Sequence, residues 1–183
     1  ALLAQAPHFS TDDAQRFAKD IFGIQAEPKA LPSERDQNFL LRTDDGVGFV
    51  LKIANAAEER ALLKAQNLVM EHLHNQDVTC PQVIHSLAGK NIEEVQSLSG
   101  KTHLVRLVSY LEGVPYGSVR RQSLDLFLNL GGYLGQAARA LTNFEHPALK
   151  RDFHWDLAKA PQVIEEYRPL VKEPELGSWI DQL

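Results

Sequence analysis

Hydrophobic and polar residues first follow a helical spacing near the start of the chain. Apolar residues recur every three or four positions up to residue 22, which predicts a short amphipathic helix. Ser10 can cap this helix, Asp12 and Asp13 suit its positive N-terminal end, and Gly23 can end it. The apolar side of the predicted helix consists of Ala14, Phe17, Ala18, Ile21 and Phe22.

The pattern then changes to short apolar runs bounded by turn residues, which is typical of β-strands. Asp44-Asp45-Gly46 separates two of these runs, and Asp-Gly favours a tight hairpin because glycine readily adopts a positive φ. Ser99-Gly100 joins another two, and Pro81 begins a further extended segment. The five predicted strands span residues 24–31, 38–43, 47–53, 92–97 and 103–109.

Helical spacing returns once between the strands and again after them. Residues 57–75 are predicted to form a helix, and a long helix is predicted at about 123–144. Two further helical pieces are expected near 157–170 and 174–183, and the sequence stops there without a helix-ending signal. We expect the apolar side of the long helix to be exposed in this chain and to promote association. That side consists of Leu124, Phe127, Leu128, Gly131, Leu134, Ala138 and Leu141.

This order of elements predicts an α+β fold that resembles the two-lobed plan of protein kinases. Residues 1–113 are expected to form an antiparallel, five-stranded N-terminal lobe with one main helix, ending in a hinge. Residues 114–183 are expected to form the beginning of a helical C-terminal lobe. The lobe would be incomplete, because the chain ends within it.

Composition limits the classes of partner. A net charge of −5 over 183 residues argues against nucleic acid, which usually requires a basic surface. No apolar run approaches the about 20 residues of a membrane span. The single Cys80 suits a reducing cytoplasm, and the histidines lack the spacing of a metal site.

One lysine interrupts an apolar strand in Gly48-Phe49-Val50-Leu51-Lys52-Ile53. It is either an edge-strand lysine that reaches water or a phosphate-binding lysine, and its place between a hairpin and a helix favours the second. The segment GFVLKIAN resembles the third-strand lysine segment of aminoglycoside phosphotransferases and of hydroxylysine and homoserine kinases. The resemblance implies that Lys52 holds the α- and β-phosphates of ATP.

The loop before the second strand lacks the Gly-x-Gly-x-x-Gly motif of ordinary protein kinases. Its sequence, SERDQNFLL, resembles hydroxylysine-kinase-like domains, including those fused to class III aminotransferases in bacteria. The resemblance implies that backbone N–H groups and the Ser33 hydroxyl face the phosphates. The alternative is a polar turn in which Asp36 and Asn38 bond the local backbone.

In the kinases that this segment resembles, a carboxylate on the following helix orients the lysine. The resemblance implies that Gln66 stands at that position here. A glutamine can hydrogen-bond to a lysine but cannot neutralise it. We predict Gln66 as the partner of Lys52, with Glu59 or Glu71 as substitutes. All three can equally be solvated residues on the helix surface.

The segment LVRLVSYLEG at residues 104–113 resembles the last strand and hinge of the nucleotide-binding lobe. The resemblance implies that adenine bonds to the Ser109 carbonyl and the Leu111 N–H, with Val108 behind it. Gly113 would then relax the chain as it enters the helical lobe. The alternative is a strand that ends in a Glu-Gly turn.

A His-x-Asp pattern at His154 and Asp156 resembles the first part of a kinase catalytic loop. That loop also requires an asparagine five residues after the aspartate, and this position is Pro161. We therefore interpret Asp156 as structural or substrate-side. No catalytic residue is predicted in this chain, and the base and the Mg²⁺ ligands are expected beyond Leu183.

The resemblance implies that this chain is the ATP-binding part of a kinase that phosphorylates a small amino alcohol or hydroxy-amino acid, such as hydroxylysine or homoserine. The chain alone should be inactive, and its expected partner is the rest of its own polypeptide. The alternative is a non-catalytic regulatory or docking domain of a larger PLP-dependent aminotransferase fusion. A His-x-Asp-x-x-x-x-Asn segment after residue 183 would favour the kinase.

Overall fold

The capping residues of the first helix act as the sequence predicts in the computed structural model, which describes residues 5–151 and 156–182. Helix α1 (Thr11–Phe22) begins with a capping box between Ser10 and Asp13, and the hydrogen bonds from Ser10 lower the pKa of Asp13. Gly23 ends the helix with φ 70°, a conformation that glycine adopts without steric cost. The helix prediction is confirmed.

A single antiparallel sheet follows α1. The strands are β1 (Glu27–Leu31), β2 (Gln37–Arg42), β3 (Gly48–Ile53), β4 (Val83–Ile84), β5 (Glu93–Gln96) and β6 (Thr102–Ser109). Their order is β1-β2-β3-β6-β4, and β5 also pairs with β6. All five predicted strands are present. The sixth, β4, comes from the extended segment after Pro81 and is too short to show the alternation by which strands are predicted.

The two faces of the sheet differ in character because successive side chains of a strand point to opposite sides. One face packs against α1 and carries the main hydrophobic core. The strand side chains of that core are Phe39, Leu41, Leu51, Ile53, Val95, Val105 and Leu107, all buried. On the opposite face, the pairing of β2, β3 and β6 aligns Asn38, Lys52 and Arg106 in one row. The sheet therefore separates a hydrophobic core from a polar row.

Helix α2 (Arg60–Asn75) lies over the face that carries the polar row, and its Leu63 packs with Ala54, Ile92 and Leu104. It begins three residues later than predicted. The Asn55 side chain accepts a hydrogen bond from Ala57 N at 3.0 Å and holds residues 55–58 in a turn.

Helix α3 (Leu124–Ala140) begins at the Ser123 cap and contains no buried residue. Its large apolar side chains are exposed, as predicted, with Leu124 at 73% and Leu134 at 56%. Two polar contacts attach the helix to the preceding elements. Tyr133 Oη donates to Thr79 O at 2.7 Å, and His72 Nε2 lies 2.8 Å from Ala140 O.

Residues 150–183 form a separate compact unit from residues 1–149. It contains α4 (Ala160–Tyr167) and α5 (Pro174–Ile180), joined by the ion pair of Arg168 and Asp181 with N–O distances of 2.6 and 2.8 Å. His154 lies outside the described residues. Asp156 caps a one-turn 3₁₀ helix by accepting from Ala158 N at 3.0 Å, which agrees with a structural interpretation. No helix within the described ranges has the length and apolar character needed to cross a membrane.

Candidate functional site

A cavity of about 350 Å³ lies on the face of the sheet that carries the polar row. Four predicted site residues, among them Lys52, line it together. Its walls are formed by Val50, Lys52, Met70, Pro81, Arg106, Val108, Ser109, Tyr110 and Leu111. A larger hollow beside α1, about 550 Å³, is lined mainly by charged and amide side chains and lacks an apolar wall for a ligand to pack against. The smaller cavity is therefore the candidate site.

Lys52 is held in this cavity by Asn38, which the sequence analysis did not assign as its partner. Its Nζ donates to Asn38 Oδ1 at 2.9 Å, and Asn38 Nδ2 donates to Ser33 Oγ at 3.1 Å. Ser33 does not line the cavity but is connected to Lys52 through this one amide. The signal for Asn38 lay in the hairpin, since counting outward from the turn pairs residue 38 with residue 52.

The loop before β2 is fastened to the chain just after β3. Asp36 Oδ1 accepts a hydrogen bond from Asn55 N at 3.0 Å, and Asn55 Nδ2 donates to Arg35 O at 3.3 Å. Arg35 also forms an ion pair with Glu58 at 3.4 Å. The Asp36 side chain thus bonds to Asn55, and the Asn38 side chain bonds to Lys52 and Ser33. The polar-turn alternative required both side chains to bond to the local backbone.

Burial and charge act together on Lys52. Burial lowers the pKa of its ammonium group, the neighbouring cation of Arg106 lowers that pKa further, and the Asp36 carboxylate raises it. A lysine in such surroundings loses part of its hydration, and among the described residues it gains one neutral hydrogen-bond acceptor. An anionic ligand would supply the charge that this environment lacks.

Gln66 contacts Arg106 in this structure rather than Lys52. Its Oε1 accepts a hydrogen bond from Arg106 Nη2, while Arg106 Nη1 donates to Asn67 Oδ1 at 2.8 Å. Among the described residues, neither Glu59 nor Glu71 forms an ion pair with Lys52. Arg106 was missed because its alignment with Lys52 depends on the pairing of β3 with β6, which lie far apart in sequence.

The segment after β6 is fixed on both sides of Leu111. Tyr110 N donates to Gly48 O at 2.9 Å, and Arg42 forms a two-pronged ion pair with Glu112 at 2.8 and 3.0 Å. Gly48 is required at this contact, because a Cβ there would lie 2.9 Å from Tyr110 Cβ. No group in the described part of the chain accepts a hydrogen bond from Leu111 N–H, which leaves this donor available to a ligand.

Replacing Asp36 by asparagine should lower the pKa of Lys52 further. The asparagine keeps an oxygen that can accept from Asn55 N but removes the negative charge that raises this pKa. The titration of the Lys52 Cε signal by NMR measures the shift. Glu34→Gln removes the same charge from an exposed position in the same loop, so an equal shift in both variants would contradict the assignment.

The described residues at this site do not provide a set of ligands for a metal ion. The described residues contain no cluster of three or more His, Cys, Asp or Glu side chains suited to a metal, and no acidic residue lines the cavity. Mg²⁺ in nucleotide sites is usually held by carboxylates together with phosphates. We therefore assign no Mg²⁺ ligand within residues 5–151 and 156–182.

Comparison with known proteins places this arrangement in a family. Residues 27–183 match the model of the phosphotransferase enzyme family. The chain belongs to this family. It is 28% identical to the hydroxylysine kinase of Mus musculus over 194 aligned residues, which cover 97% of the chain and 51% of that kinase. It is 29% identical to the hydroxylysine kinase of Danio rerio, covering 88% of the chain and 48% of that kinase.

Two solved phosphotransferases confirm that the fold is kinase-like. An amicoumacin kinase in complex with AMP-PNP, Ca²⁺ and Ami aligns with a TM-score of 0.65 at 17% identity, over 96% of this chain and 55% of that one. A microcompartment-associated aminopropanol kinase aligns with a TM-score of 0.63 at 17% identity, over 82% and 46%. The chain thus spans about half the length of the hydroxylysine kinases and solved kinases that it matches.

Proposed function

We propose that this chain is the ATP-binding part of a small-molecule kinase and that the nucleotide binds in the cavity beside α2. The observation that carries the proposal is the arrangement of three features in one cavity. Lys52 and Leu111 both line it, and the Leu111 N–H has no acceptor among the described residues. The paired side chains of Val50 and Val108 lie between them along the sheet. A nucleotide has the matching sequence of anionic, apolar and hydrogen-bonding parts.

The adenine base occupies the end of the cavity next to the hinge. Leu111 N–H donates to the base, and the Ser109 carbonyl accepts from its amino group. The Ser109 N–H and Oγ are already bonded to Gln82 at 2.8 Å each, which positions this residue before the ligand arrives. Val108, Val50 and Met70 contact the flat faces of the ring system.

The phosphates lie towards Lys52 and the loop that contains Ser33. Lys52 places a positive charge next to the phosphate oxygens, and such electrostatic stabilisation is a main requirement of phosphoryl transfer. Asn38 holds the lysine and the Ser33 hydroxyl in a fixed relation through its two amide atoms. Gln66 bonds to Arg106, the neighbour of Lys52 in the sheet. A direct hydrogen bond from Lys52 to Gln66 remains a prediction.

The phosphate acceptor is the hydroxyl of a small amino alcohol or hydroxy-amino acid, such as hydroxylysine or homoserine. The names of the hydroxylysine kinases and of the aminopropanol kinase support this substrate class. The catalytic base and the Mg²⁺ ligands are contributed by the remainder of the polypeptide. Within this chain, the boundary between the nucleotide-binding lobe and the helical lobe lies near residue 113. The single buried Cys80 supports a reducing compartment such as the cytoplasm.

Calorimetric titration of the chain with ATP tests the proposal. We expect ATP to bind to one site with or without Mg²⁺, and adenosine to bind the same site more weakly because it lacks the phosphates. Adenosine should compete with ATP if both use Leu111 and Ser109. A folded sample that binds neither compound would contradict the proposal and favour a docking domain of a larger enzyme, including an aminotransferase fusion.

A further inference from the structure

The structure contains a buried cation, Arg106, at the wall of the same cavity. Its side chain lines the cavity, and the residue is only 7% exposed. It lies on β6 directly opposite Lys52 on β3, so the two cations are neighbours on one face of the sheet. The sequence resemblance assigned no role to this arginine.

All the groups that bond Arg106 in the described structure are neutral. They are the side-chain oxygens of Asn67 and Gln66 and the backbone oxygen of Leu63, which lies 3.4 Å from Nη1. No carboxylate among the described residues forms an ion pair with this guanidinium. A buried charge without a counter-charge is costly, because neutral acceptors replace only part of its lost hydration.

The nearest carboxylates act on Arg106 from a distance and already have other partners. Asp36 and Glu58 raise the pKa of Arg106, against the larger effect of burial that lowers it. Asp36 accepts from Asn55 N, and Glu58 pairs with Arg35. Two adjacent cations therefore face one cavity, and no carboxylate of residues 5–151 or 156–182 forms an ion pair with either.

The guanidinium also retains unused donors. It has five N–H groups, and its hydrogen bonds to α2 leave Nε without an acceptor among the described residues. A phosphate oxygen that approaches from the cavity would find both a donor and an uncompensated positive charge. Guanidinium groups are well suited to phosphate because the planar fork presents several donors together.

We propose that Arg106 is a second phosphate-binding residue of this cavity and that, with Lys52, it selects nucleoside di- and triphosphates by their charge. This inference rests on the proposed function. Helix α2 contributes amides rather than carboxylates at Gln66 and Asn67, so it fixes the guanidinium without neutralising it. A glutamate at position 66 would form an ion pair with Arg106 and compete with the ligand for it.

Four single variants of the whole chain test this role, with ATP, ADP and adenosine as the titrated compounds. Arg106→Gln should weaken ATP and ADP binding about 10- to 100-fold, the value of a hydrogen bond to a charged group, and leave adenosine binding within about twofold. Arg106→Lys should retain part of the affinity. Gln66→Glu should weaken ATP binding about 10-fold while keeping the fold, because it adds an ion pair to α2.

Arg60→Gln is the matched control. Arg60 also attaches α2 to neighbouring structure, through Ile92 O at 3.2 Å and Glu94 at 2.5 Å, but lies outside the cavity. Its replacement should leave the affinities for all three compounds unchanged. Thermal unfolding of each variant shows whether the fold is kept, and Gln66→Glu decides the question if Arg106→Gln does not fold.

The outcomes separate this inference from the proposed function. Equal losses for ATP and adenosine in Arg106→Gln, or unchanged ATP affinity in both Arg106→Gln and Gln66→Glu, would make Arg106 only a tether for α2 and overturn the inference. The proposed function would survive that result if the wild-type chain binds ATP. A wild-type chain that binds no nucleotide would overturn both.

Discussion

Replacing Lys52 by methionine should weaken ATP binding by about 100-fold, the loss expected when a charged hydrogen-bond donor to phosphate is removed. Methionine replaces the four-carbon apolar stem of the lysine atom for atom and lacks only the ammonium group, so the cavity wall is preserved. Adenosine affinity should change little, because Ser109 and Leu111 lie three and five positions beyond Arg106, the β6 residue that pairs with Lys52. Calorimetric titration of both compounds measures the two effects separately.

The control for this variant is Lys29→Met on β1, where the lysine is exposed and does not line the cavity. It removes the same charge from the chain and should bind ATP like the wild type. Equal ATP affinity in Lys52→Met and wild type would show that the nucleotide, if bound, does not use Lys52. A parallel loss in both lysine variants would indicate only a general effect of net charge.

Lys52 also makes the stability of the chain without nucleotide depend on pH in a defined direction. Its folded-state pKa is lowered below the ordinary value of 10.5, chiefly by burial, so the folded chain releases this proton before the unfolded chain does. Between the lowered pKa and 10.5, the unfolded state binds more protons and stability rises with pH. The free energy of unfolding of the wild type, minus that of Lys52→Met, should therefore increase over this interval in urea titrations.

Replacing Leu51 by alanine should reduce the free energy of unfolding by about 2–5 kcal/mol, the range for a buried leucine whose removal leaves a cavity. Leu51 is 0% exposed and lies in the core between the sheet and α1. It precedes Lys52 on β3 but points to the opposite face. We therefore expect ATP affinity to remain close to that of the wild type at temperatures where the variant is folded.

Val50→Ala is the matched variant on the other face of the same strand. Val50 is half-buried and lines the cavity, so its truncation should reduce the free energy of unfolding less than Leu51→Ala does. It should reduce the affinities for adenosine and ATP to a similar degree. Urea unfolding measures the loss of stability in both variants, and calorimetry measures their loss of affinity for ATP and adenosine. If Leu51→Ala changed affinity more than Val50→Ala, the assignment of one face to the core and the other to the ligand would be wrong.

Local sequence signals predicted α1 and the β2–β3 hairpin well because their interactions are close in the chain. Ser10, Asp13 and Gly23 bound α1, and the Asp-Gly turn fixes which residues of β2 and β3 are paired. The same turn contained enough information to place Asn38 beside Lys52. That relation was missed because Asn38 was considered only in the polar-turn alternative, as a residue that bonds the local backbone.

The partner of Gln66 could not be predicted in this way. Arg106 reaches Gln66 only after β6 has paired with β3, and no local signal sets the relative position of two strands separated by α2, β4 and β5. The lysine motif therefore led to Gln66 as a partner of Lys52. In the structure, the Gln66 amide accepts a hydrogen bond from Arg106 instead. Arg106 lies opposite Lys52 only because β6 pairs with β3 in the assembled sheet.

The pairing of β3 with β6 also has a consequence for the kinetics of folding. These strands are neighbours in the sheet but far apart in the chain, so a long loop must close before their contacts form, at a cost in chain entropy. The local hairpin and α1 have no such barrier, and the cavity is therefore expected to be among the last parts completed. A nucleotide that recognises only the completed cavity would slow unfolding and leave the rate of folding almost unchanged.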